Sequence, residues 1–146
     1  MKSSIKLRNF TIDDFEAVQK LWNESKLPYR PKGRDRKEKI ATELNNNTSI
    51  FIVAEKSDEV VGVVFGTHDG RKGWINRLAV HPKFRNEGIA KILIAEVERR
   101  LLDRGIEIMT CLIERDNIDS QNAFKKLGFK EWDDIVYFSK RMNPDV

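Results

Sequence analysis

Cysteine, histidine and long apolar runs are scarce in this chain. Its 146 residues include one cysteine, Cys111, and two histidines. A disulfide within the chain is therefore excluded, and neither a redox centre nor a metal site built from cysteine and histidine is expected. No apolar run approaches the roughly 20 residues that a membrane-spanning helix needs, and Met1–Phe10 lacks the charged and then apolar pattern of a secretion signal. We therefore expect a cytoplasmic protein that holds no metal and does not enter a membrane.

A large excess of charge of one sign is also missing. The chain has 27 Lys and Arg against 23 Asp and Glu, which gives a formal net charge of +4. This interleaved charge favours solubility and argues against nucleic acid as a partner. The one basic concentration, Arg30–Lys39, contains no aromatic residue and is interrupted by Asp35 and Glu38. It is typical of a solvated loop that runs into a helix, and the alternative is a patch that attracts an anionic ligand.

Strand-like and helix-like patterns alternate along the chain. Runs of β-branched residues bounded by turn residues predict strands, and apolar residues that recur every three or four positions predict helices. In order, the predicted elements are a strand at 5–10, helices at 11–22 and 35–44, strands at 50–54, 60–65 and 74–80, a helix at 88–104, a strand at 106–113, a helix at 119–127 and a strand at 135–138. This order predicts one α+β (mixed α/β) domain over residues 1–146, built on a single sheet. The strands before and after the long helix should be parallel neighbours.

The junction that leads into the long helix has the features of an anion site. In Leu78–Ala90 a strand ends, a loop turns and a helix starts. The first N–H groups of a helix have no partner within it, and its dipole adds about half a positive charge there. Gly88 leaves room for an anion against the backbone, and Arg85 offers a charged donor. Taken alone, the segment fits an ordinary helix start equally well.

Two motifs together resemble the Gcn5-related N-acetyltransferase (GNAT) family. The first, Arg85-x-x-Gly88-x-Ala90, is similar to the family's pyrophosphate-binding pattern, and the second, Asn117–Phe129, ends in Lys-Leu-Gly-Phe like the family's second signature. The resemblance implies a mostly antiparallel sheet with a parallel, splayed central pair, flanked by about four helices. It also implies transfer of the acetyl group of acetyl-CoA to a primary amine by direct attack in a ternary complex. The alternative is a non-catalytic domain that binds acyl-CoA as a sensor.

The resemblance also implies where acetyl-CoA is held. Main-chain amides of the helix start would bind the pyrophosphate with Arg85 close by, the pantetheine arm would run beside the strand end like an added strand, and Asn117 would contact the cofactor from the opposite wall. An amide of the strand end would stabilise the oxyanion as the amine attacks. The cofactor-binding residues implied in this way are Leu78, Ala79, Val80, Arg85, Asn86, Glu87, Gly88, Ile89, Ala90, Lys91, Asn117 and Phe124. For Asn117, a plain helix N-cap is the alternative.

The chain departs from the family pattern at the catalytic acid and base. Phe124 stands where the family commonly has a tyrosine that protonates the departing thiolate. Tyr137 is the candidate replacement, although a core or pocket-lining role suits it equally, and an unassisted thiolate is also feasible. Relatives often carry a carboxylate on the central strand, where this chain has Asn76 and Arg77. Glu114 is then the candidate base, acting directly or through water, and the alternative is a plain surface role at a strand end.

Arg77 bears on the acceptor. Side chains alternate along a strand, so Arg77 points away from Asn76. If that face lines the acceptor side, Arg77 binds a carboxylate or phosphate of the acceptor, with a rim from Tyr29, Arg30, Lys32 and Arg34; the alternative is a surface arginine. The acceptor would then be a small-molecule or peptide amine with a nearby anionic group.

The remaining reactive residues predict no catalysis. Cys111 alternates with apolar residues in a predicted strand and is expected to be a buried core thiol, and His68 and His81 are expected in loops. Pairing of the final strand with a second copy would give a homodimer.

Overall fold

A computed structural model describes residues 4–146, so Met1–Ser3, the start of the segment expected to carry no secretion signal, lie outside the described residues. Eleven elements follow one another in this part of the chain, two of them short 3₁₀ helices at Ile12–Asp14 and Pro82–Phe84. No helix in residues 4–146 is long and apolar enough to cross a membrane. The strands and α-helices are β1 (Lys6–Asn9), α1 (Phe15–Glu24), α2 (Lys37–Glu43), β2 (Ser49–Lys56), β3 (Glu59–His68), β4 (Gly73–Val80), α3 (Ile89–Asp103), β5 (Met109–Cys111) and α4 (Ile118–Lys126).

The five strands form one sheet in the order β1-β2-β3-β4-β5. The first three pairs are antiparallel. Short turns join β2 to β3 and β3 to β4, as in hairpins, whereas α1 and α2 lie between β1 and β2. The last pair, β4 with β5, is parallel, because α3 carries the chain back to the end of the sheet where β4 begins. The predicted α+β class and the parallel neighbours on either side of the long helix are therefore confirmed.

Two apolar layers cover the faces of this sheet. On one face α3 packs its predicted four-residue stripe, Ile89, Leu93, Val97 and Leu101, against the sheet. Gly62 lets α3 approach closely, because a Cβ there would lie 2.8 Å from the Ile89 side chain. On the other face lie α1 and α2, which contribute the fully buried Val18, Trp22 and Ile40. The core thus consists of two apolar clusters, one on each face of the sheet, and β5 lies at the edge of the sheet beside β4.

Two predicted strands are corrected by the structure. The strand predicted at 106–113 is limited to β5, because the Ile106 N–H caps the end of α3 through the Leu101 carbonyl and no partner follows Cys111. The strand predicted at 135–138 does not form. A strand needs a hydrogen-bonded neighbour, and residues 130–146 make no main-chain hydrogen bond to other main-chain atoms of the described chain. In this structure β5 is therefore the edge of the sheet.

Candidate active site

β4 carries a bulge where it leaves its parallel neighbour. Phe65 of β3 pairs with Arg77 and the next residue, Gly66, pairs with Ile75, so Asn76 is the extra residue. The pairing of β4 with β5 ends at the same point, with Ile75 opposite Cys111. The bulge bends the strand, and the edge of β4 from Asn76 to Val80 has no strand beside it. The splayed parallel pair that the family resemblance implies is present at this point.

Main-chain donors face the gap that this divergence opens. The His81 N–H donates to the Val61 carbonyl of β3 at 2.8 Å. Because hydrogen-bonding groups alternate along an antiparallel strand, the N–H groups of Leu78 and Val80 point away from β3. No described residue accepts a hydrogen bond from either group. The strand end therefore presents two free amides to whatever occupies the gap.

A cavity of about 650 Å³ fills the gap. One wall is the bulged part of β4, and the other is β5, the turn after it and one face of α4. That face is formed by Asn117, Ser120 and Phe124, whose spacing of three and four residues places them in line along a helix. The cavity continues to a polar end below α2, where Arg34, Asp35 and Glu43 line it. It thus connects Leu78, which carries one of the free amides of β4, with a cluster of charged side chains, whereas Ala79 and Val80 are not among its lining residues.

The loop between β4 and α3 is shaped to bind an anion. Asn86 and Gly88 both have left-handed backbone angles, with φ of 66° and 80°, and successive turns of this kind aim several N–H groups at one point. The N–H groups of Arg85–Lys91 donate to no acceptor in residues 4–146. A Cβ on Gly88 would enter open space, since no other atom lies within 4 Å of its position. The loop is therefore an open set of unsatisfied donors at the start of a fifteen-residue helix.

Two contacts hold this loop in place. Ile89, the first residue of α3, is buried against the sheet, and Glu87 forms a 2.9 Å salt bridge with Lys56 of β2. Arg85 is exposed and forms no hydrogen bond or salt bridge with the described residues. Its guanidinium is therefore available to a ligand of the loop.

The second predicted motif contributes the far wall of the cavity. Asn117 caps α4 by accepting a hydrogen bond from the Ser120 N–H at 3.1 Å, and its side chain also lines the cavity, so the cap and the lining role coexist. Phe124 packs edge-to-face on Phe129, with ring centroids 5.0 Å apart. Ser120 was missed by sequence reasoning, although its position three residues after Asn117 is a signal that it shares the same helix face.

The two candidate catalytic residues of the sequence, Glu114 and Tyr137, both line the cavity. Glu114 is exposed at the turn after β5, and its carboxylate pairs with no described residue. Tyr137 is 62% exposed and lies in the extended C-terminal segment. The structure thus brings the two residues to one cavity without a hydrogen bond between them.

Arg77 lies at the polar end of the cavity, held by Asp35. Its guanidinium donates to the Asp35 carboxylate at 2.7 Å and to the Asn76 carbonyl at 2.7 Å. The two paired side chains are only 13% and 8% exposed. Asp35 also accepts the Arg30 N–H at 2.6 Å, which fixes the loop before α2. Arg77 is therefore a nearly buried, paired group at the cavity and not a surface arginine.

Tyr29 and Arg30, the other two acceptor residues predicted from the sequence, line the same end of the cavity. The Tyr29 hydroxyl donates to the Asn23 side chain at 2.9 Å, and its ring packs on Trp22 at 5.2 Å. The Arg30 guanidinium has no hydrogen-bond partner in residues 4–146. Tyr29 is thus fixed, whereas Arg30 is free to meet a ligand.

Two further charged residues at this end have shifted pKa values. Burial, with a smaller contribution from Asp35, raises the pKa of Glu43. Burial and then the charge of Arg77 lower the pKa of Arg34. Sequence reasoning missed Glu43, because nothing in the sequence shows that the last residue of α2 faces a cavity.

The sequence predicted no catalysis by the thiol or the two histidines. Cys111 is only partly buried and lines the cavity, so the expectation of a buried core thiol is corrected. Burial raises the pKa of Cys111 to about 11, so the residue is a thiol at neutral pH. His81 lies 3.1 Å from Glu24, and the His68 ring accepts the Gly70 N–H. Within residues 4–146, no three His, Cys, Asp or Glu side chains are grouped as metal ligands.

Comparison with known proteins places this geometry in a family. The model of the acetyltransferase (GNAT) family matches residues 15–129. Acetyltransferase SG1711 of Sodalis glossinidius is 36% identical over 141 residues, which cover 97% of this chain and 98% of that protein.

Two solved structures show the same fold. One is the PaiA N-acetyltransferase of Thermoplasma acidophilum in complex with coenzyme A, with a TM-score of 0.79 and 23% identity over 89% of this chain and 92% of the other. The second is the aminoglycoside N-acetyltransferase AAC(6')-Iy in complex with CoA, with a TM-score of 0.78 and 21% identity over 97% of both chains.

Proposed function

The chain belongs to the acetyltransferase (GNAT) family, and from that premise we propose that it transfers the acetyl group of acetyl-CoA to a primary amine by direct attack in a ternary complex. The observation that carries the proposal is the gap between β4 and β5, where free strand amides lie between an anion-binding loop and a charged cavity end. These three parts suit the three parts of the reaction: the cosubstrate's phosphates, its thioester and the acceptor.

The cosubstrate fits the donors that the chain leaves free. The unpaired N–H groups of Asn86–Lys91 suit the pyrophosphate, and Arg85 adds a charged donor. The open edge of β4 suits the pantetheine arm as an added strand. Asn117 and Phe124 would close the other side of the same cavity. Acetyl-CoA supplies a thioester whose carbonyl carbon is the electrophile.

The free amides of β4 suit the chemical step. As the amine nitrogen bonds to the thioester carbonyl carbon, negative charge develops on the carbonyl oxygen, and the N–H of Leu78 or Val80 stabilises it. When the carbon–sulfur bond breaks, the products are an amide and the coenzyme A thiolate. Phe124 has no proton to give, so the thiolate leaves unassisted or takes a proton from Tyr137. A fall in kcat of Tyr137→Phe would support the second route.

The amine must lose a proton, and two carboxylates of the cavity are free to accept it. Glu43 and Glu114 have no ion-pair partner among the described residues. Glu43 is the better base, because its raised pKa moves it toward the working range of a general base. Comparison of kcat in Glu43→Gln and Glu114→Gln separates the two.

We also propose that a second copy of the chain covers the C-terminal segment. Its apolar side chains are largely exposed, with Ile135 at 71%, Val136 at 73% and Phe138 at 87%. Contiguous exposed apolar surface of this kind marks interaction sites, and β5 leaves an open edge at one end of the sheet.

The acceptor is proposed to be a small-molecule or peptide amine. The cytoplasmic location stays a prediction of the sequence.

The proposal is tested by calorimetric titration of acetyl-CoA into the wild type, Gly88→Glu and Gly70→Glu. The two glycines have similar φ values of 80° and 85° and the same open surroundings, so both variants add equal strain and charge. Only Gly88 lies in the anion-binding loop, so we expect the first variant alone to lose binding. Release of free thiol is then followed with a panel of amines. Binding without thiol release from any amine would favour the acyl-CoA sensor, and a folded wild type that fails to bind would contradict both.

A further inference from the structure

Positive charge dominates the acceptor end of the cavity. Four arginines line it, namely Arg30, Arg34, Arg77 and Arg141. Two carboxylates line the same end, Asp35, which is committed to Arg77, and Glu43, which forms no ion pair with a described residue. The end of the cavity therefore holds more guanidinium groups than its own carboxylates neutralise.

Arg34 has no partner that compensates its positive charge. It forms no hydrogen bond or salt bridge with any residue of 4–146. Burial is the main cause that lowers its pKa, and the charges of Arg77, Arg141 and Arg30 lower it further, against a single opposing contribution from Asp35. Arg34 is nevertheless an exposed residue at the cavity, so its charge is accessible to a ligand, and a bound anion would offset the repulsion from the neighbouring arginines.

The neighbours of Arg34 divide into fixed and free groups. Arg77 is locked by Asp35 and by the Asn76 carbonyl, and Arg141 donates to the Val146 main-chain oxygen at 2.5 Å. The guanidinium of Arg30 is unpaired in the described chain. Two free guanidinium groups, Arg30 and Arg34, are therefore available in a region whose charge is already positive.

We propose that the acceptor amine carries an oxyanion, a carboxylate or a phosphate, and that Arg34 together with Arg30 binds this group at the polar end of the cavity. The proposal rests on the proposed acetyl transfer and names the class of its acceptor. Arg77 is a positioning residue, because it acts through Asp35 and the loop that carries Arg30 and Arg34. The sequence suggested that Arg77 binds the anion, and the proposal assigns this role to Arg30 and Arg34 instead.

The same charge disfavours a polycationic acceptor. AAC(6')-Iy shares the fold and is an aminoglycoside N-acetyltransferase, and aminoglycosides carry several ammonium groups. A second ammonium group placed near Arg30 and Arg34 would be repelled, since like charges a few ångströms apart at a partly buried site cost free energy. The acceptor class of that protein does not suit this cavity.

The experiment uses pairs of amines that differ only in the anion. Methionine is compared with methioninamide, and phosphoethanolamine with ethanolamine, with neamine as a polycationic amine; thiol release gives kcat and KM for each. We expect the anionic member of at least one pair to be strongly preferred. Preference in the first pair identifies a carboxylate, and preference in the second identifies a phosphate.

Variants of Arg34 test whether this residue causes the preference for an anionic amine. Arg34→Gln should raise KM for the preferred anionic amine about tenfold or more, as expected for one lost charge-assisted hydrogen bond, and should leave the affinity for acetyl-CoA unchanged. Arg34→Lys should recover part of the loss. Arg71→Gln is the control, because it removes the same charge from an exposed position in the turn between β3 and β4.

The possible outcomes separate the two proposals. Transfer that favours the neutral amines or neamine, or an Arg34→Gln variant that raises KM for both members of a pair equally, would overturn the inference alone. If acetyl-CoA binds and none of the amines is acetylated, the proposed function is overturned and the inference with it.

Discussion

Arg77 and Asp35 form a nearly buried ion pair. We expect each charge to depend on the other for its effect on stability, which is not expected of a pair on the surface. At 2.7 Å, the attraction between two unit charges is about 6 kcal/mol for an effective dielectric constant of about 20. Burial of both charges offsets much of this attraction, but removal of one partner leaves the other charge buried without compensation, which costs about 3–5 kcal/mol. We therefore expect Asp35→Asn and Arg77→Met each to lower the free energy of unfolding by an amount in this range.

The double variant tests the reasoning. With both charges removed, no uncompensated charge remains, so the loss should be smaller than the sum of the two single losses by about 2 kcal/mol or more. Urea unfolding at pH 7 is measured for all four proteins by tryptophan fluorescence, to which the fully buried Trp22 contributes. Arg99→Met is the control, because Arg99 pairs with Glu96 on the exposed face of α3 and such pairs contribute little. Additive losses in the cycle would show that the two charges do not depend on each other, and the argument would be wrong.

Three further predictions follow from pKa values and exposure. Burial raises the pKa of Glu43, so the fold loses stability as pH rises through the folded-state pKa of this residue. Glu43→Gln should therefore unfold at a higher temperature than the wild type at pH 7. Below about pH 4 this difference should disappear, because Glu43 is then protonated in both the folded and the unfolded protein. With a pKa of about 11, Cys111 should react with iodoacetamide at pH 8 at least roughly 100-fold more slowly in the folded chain than in urea, because the unfolded thiol has a pKa near 8.5; equal rates would contradict its burial. Wild type should sediment as a dimer and Phe138→Asp as a monomer, whereas Leu102→Asp, at a 54% exposed position of α3, should stay dimeric; a monomeric wild type would refute the proposed interface.

Local signals made the start of α3 and the loop before it predictable. The stripe of α3 repeats every four residues, and Gly88 stands where the helix starts, so the helix and its loop could be placed from neighbouring residues alone. The free N–H groups of the loop follow from the same local rule, since the first turn of any helix leaves its donors unpaired. The structure adds the left-handed angle at Asn86, which was not predicted from the sequence although asparagine adopts this conformation more readily than most residues.

The features of the site that could not be predicted from the sequence depend on contacts between distant parts of the chain. The partner of Arg77 is 42 residues away, and only the folded chain brings Asp35 beside it. The bulge at Asn76 depends on the register between β3 and β4, which a single strand sequence does not encode. The strand predicted at 135–138 has the right composition, but pairing requires an open neighbour in reach, and in this structure the segment lies unpaired.

The two walls of the cavity are held with very different strength. β4 is bound along its length to β3, whereas β5 is attached to β4 by three residue pairs only. Local opening free energies differ in the same way across a fold, so the hydrogen-bonded amide protons between β3 and β4 should exchange with solvent far more slowly than those of β5 and α4. If the proposed reaction takes place in this cavity, the wall formed by β4 would hold the reacting groups in place, and the wall formed by β5 and α4 could move when an acceptor enters or a product leaves.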